Sequence, residues 1–271
     1  MADTASVKFH VEPGGSLQGT LRVPGDKSIS HRSIMLGALA EGVTEISGFL
    51  EGEDSLATLA AFRAMGVTID GPDAGRVTVN GVGMHGLGRP AAALDLGNSG
   101  TSMRLMAGLL AGQAFDATLT GDASLSGRPM RRVVDPLGTM GARIDTTDAG
   151  TAPLQVHGSA ALHGIDYAMP VASAQVKSSI LLAGLYASGT TCVTEPAPTR
   201  DHTERMLAGM GYPVQRDDGR VCVEGGHSLK GIRIDIPADI SSAAFFLVGA
   251  SIAPGSVLLL QHVGMNPTRT G

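Results

Sequence analysis

The sequence has no tryptophan, and aromatic side chains make up only 3% of its 271 residues. Its core must therefore be built from alanine, aliphatic side chains and methionine. The two cysteines, Cys192 and Cys222, are too few for a disulfide framework and favour the reducing cytoplasm. The longest apolar run, near Ala243 to Ala253, is too short to span a bilayer. Residues 1–13 contain no apolar segment typical of a signal peptide.

Positive charge is also scarce. The formal net charge is −5 and the isoelectric point about 5.9, which argues against a general binder of nucleic acid or of acidic membranes. A local basic pocket is compatible with that balance. The eight histidines show no metal-ligand spacing, so no metal site is expected. Residues 81–86 have the glycine spacing of a dinucleotide fingerprint, but no helix pattern follows them, which excludes that function.

What the sequence does contain is a repeat. The dipeptide Met-Gly recurs at Met65, Met140 and Met210, at intervals of 75 and 70 residues, and each time it is predicted to end an amphipathic helix and lead into a strand. The repeated unit is predicted to be βαβαββ. Its first helices are predicted over Ser28–Ala40, Thr101–Leu110 and Gln175–Tyr186, ended by Gly42, Gly112 and Gly189. A fourth unit begins at Ile234 and stops incomplete, so we expect a fragment of a longer protein.

Each unit has a polar loop where its first strand leads into its first helix. Free backbone N–H groups and the positive end of the helix dipole point out of such a corner, which suits small anions. If the corners converge, they form one anion site. The four loops are Gly25-Asp26-Lys27-Ser28-Ile29-Ser30-His31-Arg32, Gly97-Asn98-Ser99-Gly100-Thr101, Ser173-Ala174-Gln175-Val176-Lys177 and Asp239-Ile240-Ser241-Ser242.

Individually, the loops admit two interpretations. Lys27, Ser28 and Arg32 combine an ammonium, a hydroxyl and a guanidinium near free N–H groups, as phosphate or carboxylate binding requires, but a solvated helix start has the same pattern. Asn98 and Gly100 either allow a ligand to approach the backbone closely or form an ordinary tight turn. Arg128 and Arg200 each precede a helix, and capping or surface pairing would explain Arg200 equally well.

Taken in order, the motifs resemble the 5-enolpyruvylshikimate-3-phosphate synthase family. The resemblance covers essentially the whole chain and is carried by Pro24-Gly25-Asp26-Lys27-Ser28-Ile29-Ser30-His31-Arg32, Leu96-Gly97-Asn98-Ser99-Gly100-Thr101, Arg128-Pro129-Met130, Ser173-Ala174-Gln175-Val176-Lys177 and Arg200-Asp201-His202-Thr203-Glu204. It implies an α/β fold of βαβαββ units around a pseudo-threefold axis. It also implies one complete domain over residues 23–232, with residues 1–22 and 233–271 forming part of a second.

The implied reaction moves the enolpyruvyl group of phosphoenolpyruvate to the 5-hydroxyl of shikimate 3-phosphate and releases phosphate, with no metal or organic cofactor. By resemblance, Lys27 and Arg128 are the catalytic residues in this chain. The residues implied to bind shikimate 3-phosphate are Lys27, Ser28, Arg32, Ser173, Ala174, Gln175 and Arg200. Those implied to bind phosphoenolpyruvate are Lys27, Asn98, Gly100, Arg128 and Gln175. Gly100 is also the implied packing site of the inhibitor glyphosate.

The family's general acid and base would lie beyond residue 271, so we expect weak binding of shikimate 3-phosphate without turnover. A cytoplasmic monomer that binds neither nucleic acid nor membrane is expected. Two alternatives remain: a non-catalytic anion-binding module built on the same repeat, and an enolpyruvyl transferase acting on a UDP-sugar. The latter uses a loop cysteine in its second unit, whereas no cysteine precedes Cys192 here.

Overall fold

The computed structural model describes residues 9–10, 12, 14–158 and 161–270. Most of the N-terminal segment screened for a signal peptide therefore lies outside the described residues. The described helices are α1 Lys27–Leu39, α2 Glu53–Ala64, α3 Gly100–Ala111, α4 Ala123–Ser126, α5 Arg131–Thr139, α6 Ala174–Gly184, α7 His202–Gly209, α8 Ile240–Ile252 and α9 Pro267–Thr270. The described strands are β1 Gln18–Leu21, β2 Ala40–Ser47, β3 Thr68–Asp73, β4 Arg76–Val82, β5 Leu94–Asp95, β6 Ala117–Thr120, β7 Arg143–Asp145, β8 Leu154–His157, β9 Asp166–Ala168, β10 Thr190–Thr194, β11 Val214–Asp217, β12 Arg220–Glu224, β13 Leu229–Lys230, β14 Arg233–Asp235 and β15 Val257–Leu260.

The predicted βαβαββ unit is confirmed in the second and third repeats. The second unit has the sheet order β5-β6-β8-β7 and the third has β9-β10-β12-β11, so the two orders correspond strand for strand. In both sheets the first two strands are parallel and the remaining pairs are antiparallel. Parallel neighbours need a crossover, which α3 and α6 provide.

The first unit completes its sheet with strands from much later in the chain. Strands β13 and β14 lie parallel to β2, in the position that β5 and β9 occupy in the other units. Strand β1, which precedes α1, instead pairs with β15 in a separate two-stranded sheet. The domain boundary at residue 233 stays a prediction. Because β14 (residues 233–235) pairs with β2, the structure favours a boundary a few residues after 233.

Two details of the sequence analysis are wrong. Helices α1 and α6 end before Gly42 and Gly189, which instead adopt positive φ angles of 89° and 80° in or next to strands. Gly112 does cap α3. Cys192 and Cys222, which suggested no disulfide framework, form a disulfide because β10 and β12 place them directly opposite each other. Composition alone could not reveal that register.

The core is formed where α1, α3 and α6 pack beneath their sheets. Each of these helices is buried along most of its length, and one continuous apolar cluster includes residues of all three units. Gly108 of α3 lies against the backbone of Ser179 in α6, so closely that a Cβ atom there would overlap the Ser179 carbonyl oxygen. This contact sets the distance between the two helices.

The fourth unit is different, because α8 and β15 keep apolar side chains exposed. Phe245 is 81% exposed and Ile252 is 76% exposed, and only a small separate cluster around Val23, Ala238 and Ala243 is buried there. Within the described ranges, no helix combines the length and apolarity that crossing a membrane would require.

A buried polar chain connects α1 and the middle of α2 to the start of α3. His31 Nδ1 lies 2.8 Å from Thr58 Oγ1, which lies 2.6 Å from Ser102 Oγ, and Ser102 Oγ lies 2.7 Å from Ser99 Oγ. Burial, followed by the charges of Lys27 and Arg32, lowers the pKa of His31 to about 3. His31 is therefore a neutral core residue at physiological pH.

Replacing Gly108 with alanine tests the packing of α3 against α6. The added methyl group must separate two buried backbones, which we expect to lower the free energy of unfolding by about 1–3 kcal/mol or more. Gly138→Ala in α5 is the matched control, because a Cβ there meets nothing within 4 Å, and it should be neutral or slightly stabilising. Urea denaturation measures both, and equal effects would contradict the packing argument.

The buried histidines predict acid sensitivity. Burial lowers the pKa of His31 to about 3 and that of His202 to about 4, both from 6.5. Below pH 6.5 the unfolded chain therefore takes up protons that the native state does not, so the free energy of unfolding should fall. The loss should be about 1.4 kcal/mol for each histidine near pH 5.5. Urea unfolding of His31→Gln should show about half of this histidine-dependent loss in the free energy of unfolding. A loss equal to that of the wild type would exclude His31 as a contributor.

Candidate functional site

Four helix starts carry the predicted corners, and a side chain caps each of them. Asp26 accepts a hydrogen bond from the backbone N–H of Ile29 at the start of α1. Ser99 and Ser173 accept from the backbone N–H groups at positions 102 and 176, at the starts of α3 and α6. At the fourth, Asp239 accepts a hydrogen bond from the backbone N–H of Ser241 at the start of α8. The helices begin within one residue of their predicted starts. Side chains that follow each cap are therefore presented at the positive end of a helix dipole.

The first corner contacts the loop before α7. Arg200 Nη1 lies 3.5 Å from Ser28 Oγ, which brings the loop before α7 to the start of α1. Beside Ser28, the ammonium of Lys27 is paired with the carboxylate of Asp54, and the Lys27 side chain remains 46% exposed. Lys27 is therefore held in place while it remains accessible to a ligand.

The second and third corners are joined by Gln175. Its side-chain Nε2 donates to Thr101 Oγ1 at 3.0 Å, and its Oε1 accepts from Arg104 Nη1 at 2.5 Å. Gln175 also lines an open cleft of about 570 Å³. The other residues that line this cleft are Ala172, Ser173, Ala174, Pro198, Thr199, Arg200, Ser241, Thr268 and Arg269.

Around Gly100, two guanidinium groups lie close together. A Cβ atom on Gly100 would lie 3.0 Å from Arg128 Nη1 and 3.6 Å from Arg104 Nη1. Arg128 also donates to the side-chain oxygen of Asn98. Burial, and next the charges of Arg132 and Arg128, lower the pKa of Arg104, which remains a cation at neutral pH. The three predicted residues of this corner, Asn98, Gly100 and Arg128, therefore surround one small electropositive space.

Arg32 is placed differently from the other candidates. It is 4% exposed, does not line the cleft, and its nitrogens donate to Thr203 Oγ1, the Ser28 carbonyl and Ser178 Oγ at 2.7, 2.9 and 2.8 Å. Burial lowers its pKa to about 10, against the opposing effect of Glu204. Its observed contacts hold the corners together from beneath, and a direct contact with a ligand stays a prediction.

Three residues of the site were missed by sequence reasoning. Asp54 pairs with Lys27, Arg104 lies one turn after Gly100 on α3, and Arg269 reaches back to Asp26 and Asp239 at 3.5 and 3.2 Å. The i, i+4 spacing from Gly100 could have identified Arg104. No local pattern identifies Asp54 or Arg269, because each meets its partner through tertiary contacts.

The site is positively charged although the whole chain is acidic. Lys27 and Arg269 are neutralised by carboxylates, whereas no carboxylate in the described part of the chain lies within ion-pair distance of Arg104, Arg128 or Arg200. Hydrogen bonds from Asn98 and from backbone N–H groups, and next the charge of Arg128, lower the pKa of the Asp122 carboxyl, but no carboxylate among the described residues contacts any of the three guanidinium groups directly. Together with the helix starts, these cations favour a ligand that carries more than one negative charge.

Comparison with known proteins agrees with this geometry. Residues 11–271 match the family described as EPSP synthase (3-phosphoshikimate 1-carboxyvinyltransferase). Proteins named 3-phosphoshikimate 1-carboxyvinyltransferase from Methylococcus capsulatus and Alkalilimnicola ehrlichii are 74% and 75% identical over 98% of this chain. Those matches cover 61% and 59% of the two relatives, so the chain spans about 60% of their length.

A solved structure leads to the same family. EPSP synthase from Acinetobacter baumannii superposes with a TM-score of 0.90 at 60% sequence identity, over 95% of this chain and 59% of that one. The repeated α/β architecture predicted from the sequence is therefore confirmed. The chain belongs to the EPSP synthase family.

Proposed function

We propose that this chain forms the shikimate 3-phosphate site, and part of the phosphoenolpyruvate site, of an enzyme that transfers the enolpyruvyl group between these two substrates and releases phosphate. The observation that carries the proposal is the meeting of three helix starts with the unpaired cations Arg104, Arg128 and Arg200. Both substrates carry several negative charges, and fixed cations can stabilise charge that develops between them. The names of the relatives describe the same transfer.

Within this proposal, different corners bind the two substrates. Ser28, Ser173, Ala174 and Arg200 bind shikimate 3-phosphate, since they surround or adjoin the open cleft. Asn98, Gly100 and Arg128 bind phosphoenolpyruvate beside Arg104.

Two residues serve both substrates. Gln175 bridges the cleft and the Gly100 corner. Lys27 presents its ammonium beside Ser28 and contacts both ligands. Arg32 contributes by fixing the Ser28 backbone.

The chain alone is proposed to bind without turning over. It spans about 60% of its relatives' length, and by resemblance the general acid and base come from the part that is not matched. The domain division also stays part of the proposal. It is supported by the large apolar core that spans the three sheets and the small separate cluster around Val23 and Ala243.

A cytoplasmic monomer that acts on small molecules belongs to the same proposal.

Titration of the purified chain with shikimate 3-phosphate tests the proposed function. We expect saturable binding by calorimetry that weakens by about 10-fold or more in Arg200→Ala and in Lys27→Ala, because each removes a charge-assisted hydrogen-bond donor. Arg143→Ala is the matched control, since Arg143 pairs with Asp145 on a strand away from the cleft.

The same titration separates the alternatives. A general anion-binding module would bind inorganic phosphate as tightly as shikimate 3-phosphate, and a UDP-sugar transferase would prefer a UDP-sugar. Equal binding by the wild type and by both cleft variants would refute the proposed site. Release of phosphate from phosphoenolpyruvate by the chain alone would refute the expectation that it does not turn over.

Gly100→Ala tests the phosphoenolpyruvate corner. The new methyl group would lie 3.0 Å from Arg128 Nη1, so the guanidinium must shift. We expect phosphoenolpyruvate to bind several-fold more weakly in the presence of shikimate 3-phosphate, since about 1 kcal/mol corresponds to about 5-fold. Binding of shikimate 3-phosphate alone should not change. Gly127→Ala is the control, because its methyl group makes only ordinary contacts at 3.7 Å. If both variants weaken phosphoenolpyruvate binding equally, Gly100 is not at that site.

A further inference from the structure

A buried cluster of charges lies behind the cleft. Lys177 is 3% exposed, and its ammonium contacts the carboxylate of Glu195 and lies 2.6 Å from Glu204 Oε1. The side chains of Glu195 and Glu204 are 6% and 3% exposed. The guanidinium of Arg32 lies nearby, and the charge of Glu204 favours its protonated form. With Arg32 included, the cluster contains two positive and two negative groups.

One member of this cluster is bonded directly to the loop that carries Arg200. Glu195 Oε2 accepts from the backbone N–H of Thr199 at 2.7 Å, and Glu195 Oε1 accepts from the Thr199 hydroxyl at 2.9 Å. Residues 196–200, which we term the Arg200 loop, include Pro198, Thr199 and Arg200 of the cleft wall. The loop is therefore tied to a buried carboxylate one residue before Arg200.

The carboxylate of Glu195 stays buried only because Lys177 compensates its charge. An unpaired buried carboxylate is strongly unfavourable and would turn toward solvent or take up a proton. Either change would weaken both bonds to Thr199. Arg200 would then lose the placement that brings its Nη1 to 3.5 Å from Ser28 Oγ.

Glu204 differs from Glu195 in this respect. It contacts the same ammonium, but its Oε2 has no hydrogen-bond partner among the described residues, and it lies on α7 rather than on the loop. Two chemically identical groups thus share one lysine, while only one of them holds the loop. This difference separates a positioning role from general charge balance.

We propose that the buried Lys177–Glu195 pair positions Arg200 for the anion in the cleft. Neither Lys177 nor Glu195 lines the cleft; the pair acts through the bonds from Glu195 to Thr199. The identity of the anion rests on the proposed function, whereas the placement of the loop does not depend on it.

Matched Glu195→Gln and Glu204→Gln variants test the proposal. Both remove one charge from the same cluster and leave Lys177 with one carboxylate. In the ligand-free protein, the Thr199 amide should exchange with solvent about 10-fold faster or more in Glu195→Gln and within about twofold of wild type in Glu204→Gln. Unchanged exchange in Glu195→Gln, or equal changes in both variants, would overturn the proposal.

Affinity for shikimate 3-phosphate gives a second measurement. Glu195→Gln should bind about 10-fold more weakly, and it should cause no further loss in an Arg200→Ala background, because the two changes act through the same group. Additive losses in the double variant would show that Glu195 acts elsewhere. If the wild type does not bind this ligand, the proposed function fails while the exchange measurement still decides the placement of the loop.

Lys177→Met probes the cation itself, and its folding is checked by urea denaturation. It leaves two buried carboxylates with Arg32 as the remaining nearby cation, so it is expected to be the least stable variant. Should it fail to fold, Thr199→Val removes only the hydroxyl bond to Glu195 at nearly equal volume. The affinity of Thr199→Val for shikimate 3-phosphate should lie between those of the wild type and Glu195→Gln. An affinity equal to that of the wild type would contradict the proposal that Glu195 acts through Thr199.

Discussion

The buried guanidinium of Arg32 is the interaction on which the site's geometry depends. Its hydrogen bonds reach the backbone of Ser28 at the start of α1, Ser178 in α6 and Thr203 in α7. A planar cation with fixed donor directions can join three elements in one geometry, which a flexible ammonium could not do equally well. The cleft above it is therefore formed by helices whose relative positions are set from below, before any ligand is present.

The fold and the corners were predictable because their determinants are local. Caps such as Ser99 and Ser173 bond to amides three residues later, so the sequence itself indicates where a helix begins. The contacts that could not be predicted join distant segments. Arg269 reaches Asp26, and Cys192 meets Cys222 through strand register. Arg32 has the residue type of an anion ligand, but only tertiary structure shows that its donors are engaged internally.

Charge placement explains how an acidic chain can form a positively charged cleft. Carboxylates neutralise Lys27, Lys177 and Arg269, which lie at or behind the corners. Arg104, Arg128 and Arg200 lack such partners among the described residues and lie around the cleft and the Gly100 corner. The local potential thus depends on which cations remain unpaired, rather than on the net charge of −5.

Strand β14, which completes the first sheet, also affects the order in which the sheets can form during translation. Because β14 lies beside β2, the edge of β2 has no native partner there until residues 233–235 are synthesised. Exposed strand edges favour pairing with other chains, and contacts across nearly 190 residues form slowly. During translation the second and third units can complete their own sheets first. The unit encoded first is therefore the last of the three to reach its native pairing.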